Sequence, residues 1–265
     1  MKTKHEILTA LAHSGEEKIL LASLLDKEKT CETRGYATST RFLSMSERAL
    51  CTEAVHQAGA TGHAVFWGGY EDAERGLYLF YPDYMDAESA KLSAPLALLR
   101  AHKSRSDTLT HRDYLGALMG LQLDRSMVGD ILVHEEGADI IVHEDAAEFI
   151  LMHFGKAGRK NISLTREELS DLKCAVTVEK RGSGSVASPR LDSVASLVFN
   201  LPRKDAQLRI EKGLVFVNNA PCLKPERQIH EGDRITVRGM GRAQIESSGG
   251  TSRKGRIFLD YVRNM

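Results

Sequence analysis

Long apolar runs are missing from this chain. No segment approaches the roughly 20 consecutive apolar residues that a helix needs to cross a bilayer, so no membrane-spanning segment is expected. The stretch from Met1 to Leu11 holds neither an extended apolar core nor a small-residue cleavage pattern. That argues against a secretory leader and for a cytoplasmic protein. Cysteine is scarce: Cys31, Cys51, Cys174 and Cys222 lie far apart, with no C-x-x-C pair. A disulfide scaffold and a cysteine zinc site are therefore not expected, and reduced thiols are the simple reading. Net charge is absent too, with 36 Lys and Arg against 36 Asp and Glu.

What is present is ordinary globular material. The 265 residues are 42% hydrophobic and 27% charged, enough for a real core and for two domains. The zero net charge hides an asymmetry. From Val186 to Met265 there are 14 Lys and Arg against 8 Asp and Glu, whereas residues 1–185 hold 22 against 28. A basic C-terminal third on an acidic body suggests that one end meets a polyanion.

Residues 1–30 carry a loose helical stripe of Leu8, Leu11, Ile19, Leu20, Leu24 and Leu25, interrupted near His13-Ser-Gly15. A loop or short strand is expected over Arg34 to Phe42. Ser44-Met-Ser-Glu47 reads as a capping box opening a helix to about Ala58, with Gly59 ending it. His63 to Tyr70, Leu77 to Tyr81 and Leu96 to His102 read as strands. Thr110-His-Arg-Asp113 is a second helix start, ahead of Tyr114, Leu115, Leu118 and Met119 on one face. Gly129 to Val133 and Ala138 to His143 predict a hairpin around Glu135-Glu-Gly137, followed by a helix over Ala146 to Phe154 and a strand over Ile162-Ser-Leu164. Thr165-Arg-Glu-Glu168 resembles a third helix cap. Alternating helices and strands across about 70–180 point to an α/β or α+β domain. Arg181-Gly-Ser-Gly-Ser185 reads as a flexible linker, and the domain boundary is expected there.

Beyond it, Ser188-Pro189 can start a helix whose apolar face is Leu191, Val194, Ala195 and Val198. A second helix should run from about Pro202 to Lys212, with Ala206 and Ile210 inward and partial cover from Leu208. Arg203, Lys204 and Gln207 belong to the other side of its first turns. Gly213 stops it. Leu214-Val-Phe-Val217, a turn at Asn218-Asn219, a turn at Glu231-Gly-Asp233 and the strand Arg234 to Arg238 complete the module. Ser247 to Ser252 reads as a flexible turn within a final hairpin. Its tip carries Arg253, Lys254 and Arg256, cations that extend a nucleic-acid footprint or simply stay solvated.

Arg190-Leu-Asp192, Arg203-Lys-Asp-Ala206, Ile210-Glu-Lys-Gly213, Val215-Phe-Val-Asn218 and Gly232-Asp-Arg-Ile235 occur in order over about 50 residues. In that pattern the module resembles the RNA-binding domain named after small-subunit ribosomal protein S-four, the alpha-L motif. Two departures are Pro202, where a serine is usual, and Asn219, where glycine is common. Cations on an exposed helix face can neutralise phosphates and release counterions. The expected RNA-contacting residues are Arg190, Arg203, Lys204, Gln207, Arg209, Lys212, Asn218, Lys224, Arg238 and Arg242. No aromatic platform is evident, so recognition by shape and backbone is expected.

Upstream, Trp67-Gly-Gly-Tyr-Glu-Asp-Ala-Glu-Arg75, Tyr81-Pro-Asp-Tyr84, His111-Arg-Asp-Tyr-Leu-Gly-Ala-Leu118 and Val128-Gly-Asp-Ile131 are similar to the bacterial YlmH family, as is Val237-Arg-Gly-Met-Gly-Arg242. The resemblance implies an α+β protein in three parts. These are an N-terminal helical region (1–70), a central RRM-like α/β sandwich (71–181) and an S-four-type domain with a β-hairpin extension (186–265). It also implies a non-catalytic role in ribosome-associated quality control. The partners would be tRNA and ribosomal RNA on an obstructed large ribosomal subunit, where the protein, as a monomer without cofactor or metal, supports C-terminal tailing of the stalled peptide.

Other readings compete. His111, Arg112, Asp113 and Asp130 invite an acid–base or phosphate site, although Asp113 also suits a helix cap. His134 and His143, each followed by Glu, do not form a helical metal motif. Arg190-Leu-Asp-Ser-Val-Ala-Ser196 faintly echoes the catalytic string of pseudouridine synthases, an RNA-modifying alternative, but departs from it at Ala195 and Leu197. Tyrosyl-tRNA synthetase signatures are absent, and a cell-division scaffold would not need the basic helix face.

Overall fold

A computed structural model describes residues 2–173, 179–251 and 255–264. The chain forms two compact units, residues 1–175 and 176–265.

The first unit opens with three helices whose ends follow local chemistry. In α1 (Lys4–Leu11) Thr3 and Glu6 form a reciprocal capping box. The helix α2 (Gly15–Arg34) starts at the Ser14 cap and stops at Gly35, which adopts φ 67°. After β1 (Thr38–Ser39) comes α3 (Met45–Ala58). Both arms of its expected Ser44–Glu47 box are present, and Gly59 ends it at φ 78°. Next come β2 (Ala64–Trp67) and β3 (Leu77–Phe80), antiparallel in a sheet ordered β1-β3-β2. The strand at 77–80, expected with the central domain, therefore pairs with the N-terminal region. It is buried on both faces. Tyr78 and Phe80 join the helical core, while Leu77 and Leu79 point the opposite way, as alternate strand residues must.

After α4 (Ala87–Leu92) come β4 (Leu96–His102), α5 (His111–Gly120), β5 (Val128–His134), β6 (Gly137–His143) and α6 (Glu144–His153). A small hairpin of β7 (Lys156–Ala157) and β8 (Lys160–Asn161) then precedes β9 (Ser163–Glu167). The β4-α5-β5-β6-α6-β9 order, with antiparallel sheet order β5-β6-β4-β9, is the split β-α-β arrangement of RRM-like sandwiches. Ala97, Leu99 and Ala101 of β4 and Ala138, Ile140 and Val142 of β6 face Tyr114, Leu118, Ala147 and Ile150 of the helices. Leu98 and Ile141 face the other way, onto Phe42, Leu77 and Leu79. The cap expected at Thr165–Glu168 is a correction. Thr165 lies in β9 opposite Arg100 and its hydroxyl donates to Glu167, so the segment continues the sheet. A short 3-10 turn, Leu169–Asp171, follows.

The linker expected at 181–185 is also a correction. These residues form β10 (Glu179–Val186), paired along its full length with the last strand, and the C-terminal unit begins upstream of them. The glycines serve close packing. A Cβ on Gly182 would lie 2.6 Å from the Tyr261 ring, and one on Gly184 2.6 Å from a Leu197 methyl. The unit continues with α7 (Leu191–Val198), α8 (Arg203–Glu211), β11 (Val215–Val217), β12 (Ala220–Pro221), β13 (Arg234–Val237), β14 (Gly241–Thr251) and β15 (Ile257–Asn264). The six-stranded sheet runs β10-β15-β14-β13-β11-β12. Leu191, Val194, Ala195 and Val198 bury against Ala206, Ile210, Val215 and Ile235, while Asn218 and Asn219 make their turn at φ 52° and 66°. Three local expectations shift. The cap of α7 is Arg190 rather than Ser188. Leu208 is 48% exposed and adds little cover. Ser247 to Thr251 extend β14 through two register shifts instead of forming a turn. Arg253 and Lys254 of the hairpin tip, and Cys174, lie outside the described residues. Cys31, Cys51 and Cys222 are buried free thiols.

Candidate nucleic-acid interface

The second residue of α7 organises the basic face of the C-terminal unit. The first amides of this helix have no partner within it. Leu191 donates to the Arg227 carbonyl at 2.8 Å and Asp192 to the Pro225 carbonyl at 3.0 Å, while Ile229 donates back to Pro189 at 2.8 Å. The segment 225–229 is thereby clamped across the start of α7.

Asp192 itself is fully buried. Its carboxylate accepts from Arg203 Nη2 at 2.8 Å and Nε at 3.0 Å, from Gln207 Nε2 at 3.0 Å, from Arg190 Nε at 3.2 Å and from the Ser193 amide at 2.8 Å. Burial alone would raise the Asp192 carboxyl. The donors from Arg190, Arg203 and Gln207 outweigh it and hold the group below the usual carboxylate range. The Arg203 side chain nevertheless stays 55% exposed and that of Arg190 35%. One edge of each guanidinium is thus spent on the protein while the rest faces solvent. This amends the expectation that Arg203 and Gln207 belong wholly to the outer side of the helix, since both reach back to the buried Asp192.

Positions 204 and 208 of α8 and its C-cap, Lys212, recur every four residues and so share one stripe. Lys204 and Lys212 are exposed there with Leu208 between them. Lys224 is exposed, Arg209 is half-buried, and neither these two nor Lys204 and Lys212 make an ion pair with a described residue. Arg238 is exposed, its guanidinium 5.7 Å from the Phe216 ring centroid, and its amide bonds the Leu214 carbonyl just past Lys212. Arg242 is half-buried and engaged in β14. Asn218 is committed locally: its amide nitrogen donates to Asp233 at 2.7 Å and its oxygen accepts the Arg234 amide at 2.9 Å. Sequence reasoning missed the organising role of Asp192 and the exposed cation Arg227 on the clamped segment. A carboxylate two residues into an amphipathic helix, ahead of an Arg-Lys pair, was the available signal for the first.

The central domain is built differently. The sheet face that RRM modules offer to stacked bases is closed here. Leu98 and Ile141 are fully buried. Beside them Arg100 and Asp139 form a bidentate pair at 2.7 and 2.9 Å, capped by the Asp171 carbonyl and the Lys173 amide at 2.6 Å each. No acid–base site emerges from the residues singled out above. Asp113 caps α5, accepting the Thr110 amide at 2.8 Å and hydroxyl at 2.7 Å. A β-bulge at Gly129 and Asp130, opposite Ile141, turns Asp130 toward the loop before β3. There it accepts from Tyr70, Glu74 and Arg75, while burial pushes its carboxyl up. Burial holds His111 below its ordinary value, with Arg125 adding to the effect. Among the described residues, no cluster of three His, Cys, Asp or Glu side chains could hold a metal ion, and no helix is long and apolar enough to cross a membrane.

Two family models match these regions. One, described as "Putative RNA-binding domain in YlmH", covers residues 98–171, and the S4 domain covers residues 189–235. The chain is 31% identical over 249 residues to the ribosome-associated protein quality control protein P2 of Bacillus subtilis (strain 168), spanning 94% of this chain and 95% of that protein. The chain belongs to the YlmH family. A solved YlmH, the cell division protein ylmH from Streptococcus pneumoniae, is 25% identical with a TM-score of 0.49, covering 62% of this chain and 97% of that one. Within this chain, then, the YlmH RNA-binding domain coincides with the split β-α-β sandwich, and the S4 domain with the module organised by Asp192.

Proposed function

We propose that this YlmH-family chain is a non-catalytic adaptor that holds tRNA and ribosomal RNA on the large ribosomal subunit during ribosome-associated quality control of stalled peptides. It would act in the cytoplasm, as a monomer and without cofactor or metal. The observation that carries the reading is the α8 stripe of Lys204 and Lys212 beside two arginines already oriented by Asp192. Charge on this face would neutralise phosphates. Fixed guanidinium groups would also lose less side-chain freedom on binding than free ones. The remaining expected contacts, Arg190, Arg203, Gln207, Arg209, Asn218, Lys224, Arg238 and Arg242, would frame the same RNA. The S4-domain match and the quality-control protein from Bacillus subtilis support this reading.

The pseudouridine synthase alternative would require Asp192 to reach a substrate. Its carboxylate is fully buried, and four residues already donate to it. The test is filter binding of bulk tRNA across a salt series. Lys204→Ala with Lys212→Ala should weaken binding roughly 5- to 100-fold at moderate salt and flatten the salt dependence by about 0.7 per lost phosphate contact. Unchanged affinity and slope would defeat the proposal.

A further inference from the structure

The central domain carries basic side chains that neither the S4-type face nor the core uses. The hairpin of β7 and β8 reads Lys156-Ala-Gly-Arg-Lys-Asn161. Ala157 is fully buried in the core between the central sheet and its helices, which anchors the hairpin's first strand. At its tip Gly158 adopts φ +56°, and a Cβ there would lie 3.0 Å from Asp113 Oδ1 at the start of α5. Lys160 closes the other side with an ion pair to Asp107 at 2.6 Å. The hairpin is therefore seated on the first turn of α5 rather than projecting free.

Lys156, Arg159 and Arg112 are exposed, and none has an ion pair or side-chain hydrogen bond to a described residue. Arg112 and Arg159 each adjoin the Gly158–Asp113 contact in sequence. Across residues 1–185, where acidic groups outnumber basic ones, cations without partners among the described residues on a fixed support form a local island of positive charge. The usual base-stacking face of such a sandwich is sealed by Leu98, Ile141 and the Arg100–Asp139 pair. A flat nucleobase has no access there, whereas a phosphodiester backbone can meet the hairpin.

We propose that the β7–β8 hairpin with Arg112 is a second RNA-backbone contact surface, through which the central domain binds phosphates by charge instead of reading bases on its sheet. This inference rests on the proposed RNA-binding function, and its test separates the two. The full chain is titrated with bulk tRNA over a salt series as wild type, as Lys156→Gln/Arg159→Gln, as Arg112→Gln, and as the α8 variant Lys204→Ala/Lys212→Ala. Thermal unfolding is followed in parallel.

The hairpin double variant should keep its melting temperature and bind roughly 3- to 30-fold more weakly, with the log–log salt slope smaller by about 1 to 2. Arg112→Gln should give a smaller loss in the same direction. If the hairpin variants bind like wild type while the α8 variant fails, the second surface is refuted and the S4-type reading stands. If neither set weakens binding, both fall. Weaker binding with an unchanged slope would mean no phosphate contact was lost, and would also refute the surface. So would intact RNA binding together with lost binding to poly-glutamate, the probe for an acidic protein partner.

Discussion

Two buried aspartates, one in each unit, grip arginine in nearly the same way and to opposite ends. Asp139 holds Arg100 between strands, and both side chains are sealed, at 0% and 10% exposure. Asp192 is equally buried, but its arginines emerge at the surface. The first pair closes a sheet face. The second presents a face, because its arginines come from a helix start and from the exposed edge of the next helix. An Asp–Arg pair is thus no functional signal by itself. What decides is whether the guanidinium keeps an edge toward solvent.

The comparison is broken most severely by Asp139→Ala. It strands Arg100 in the interior, and an uncompensated buried charge costs about 3–5 kcal/mol. Urea unfolding at neutral pH should show that loss. The cost should also shrink in acid, with a sign fixed by linkage. Burial raises the Asp139 carboxyl, but the donors from Arg100, the Lys173 amide and His134 prevail and leave its folded value below the ordinary one. Its contribution is therefore complete above the unfolded value of about 3.9 and disappears as pH falls through the folded value. A pH-independent difference between variant and wild type would contradict this account.

Asp192→Asn sharpens the other half. Stability should fall by about 1–3 kcal/mol as charge-assisted bonds are lost. RNA affinity should fall as well, although the variant gains one unit of positive charge. If Asp192 merely neutralised the arginines, affinity would rise instead, so tRNA binding by Asp192→Asn distinguishes orientation from neutralisation. The smallest effect concerns a buried polar atom with no clasp at all. The Tyr114 hydroxyl has no hydrogen-bond partner among the described residues. Tyr114→Phe should leave the unfolding free energy unchanged or raise it by up to about 1 kcal/mol. A clear loss would reveal a bond to the hydroxyl.

Much of this was legible locally. Ser44 with Glu47, Thr110 with Asp113 and the Asn218-Asn219 turn are contacts within four residues, so spacing alone announces them. The basic residues of α8 could be placed on its outer side because Ala206 and Ile210 mark the inner one. The Asp192 cluster could not be read the same way. Arg203 and Gln207 reach it from 11 and 15 positions away, across a helix–helix turn. Likewise Arg181 to Ser185 has the composition of a linker, and its glycines make sense only beside Tyr261 and Leu197.

Most helices and strands, the caps at Ser44 and Thr110, the turn at Asn218-Asn219 and the basic character of the C-terminal third were set by the chain on its own, since these depend on neighbours in sequence and on side-chain periodicity. Only the tertiary structure decided that a glycine-serine run is a strand, that the inner strands of the central sheet are covered at Leu98, Arg100, Asp139 and Ile141, and that a carboxylate inside α7 aims two arginines outward. Each of those outcomes depends on which distant residues compete for the same buried space, and one-dimensional spacing does not specify that.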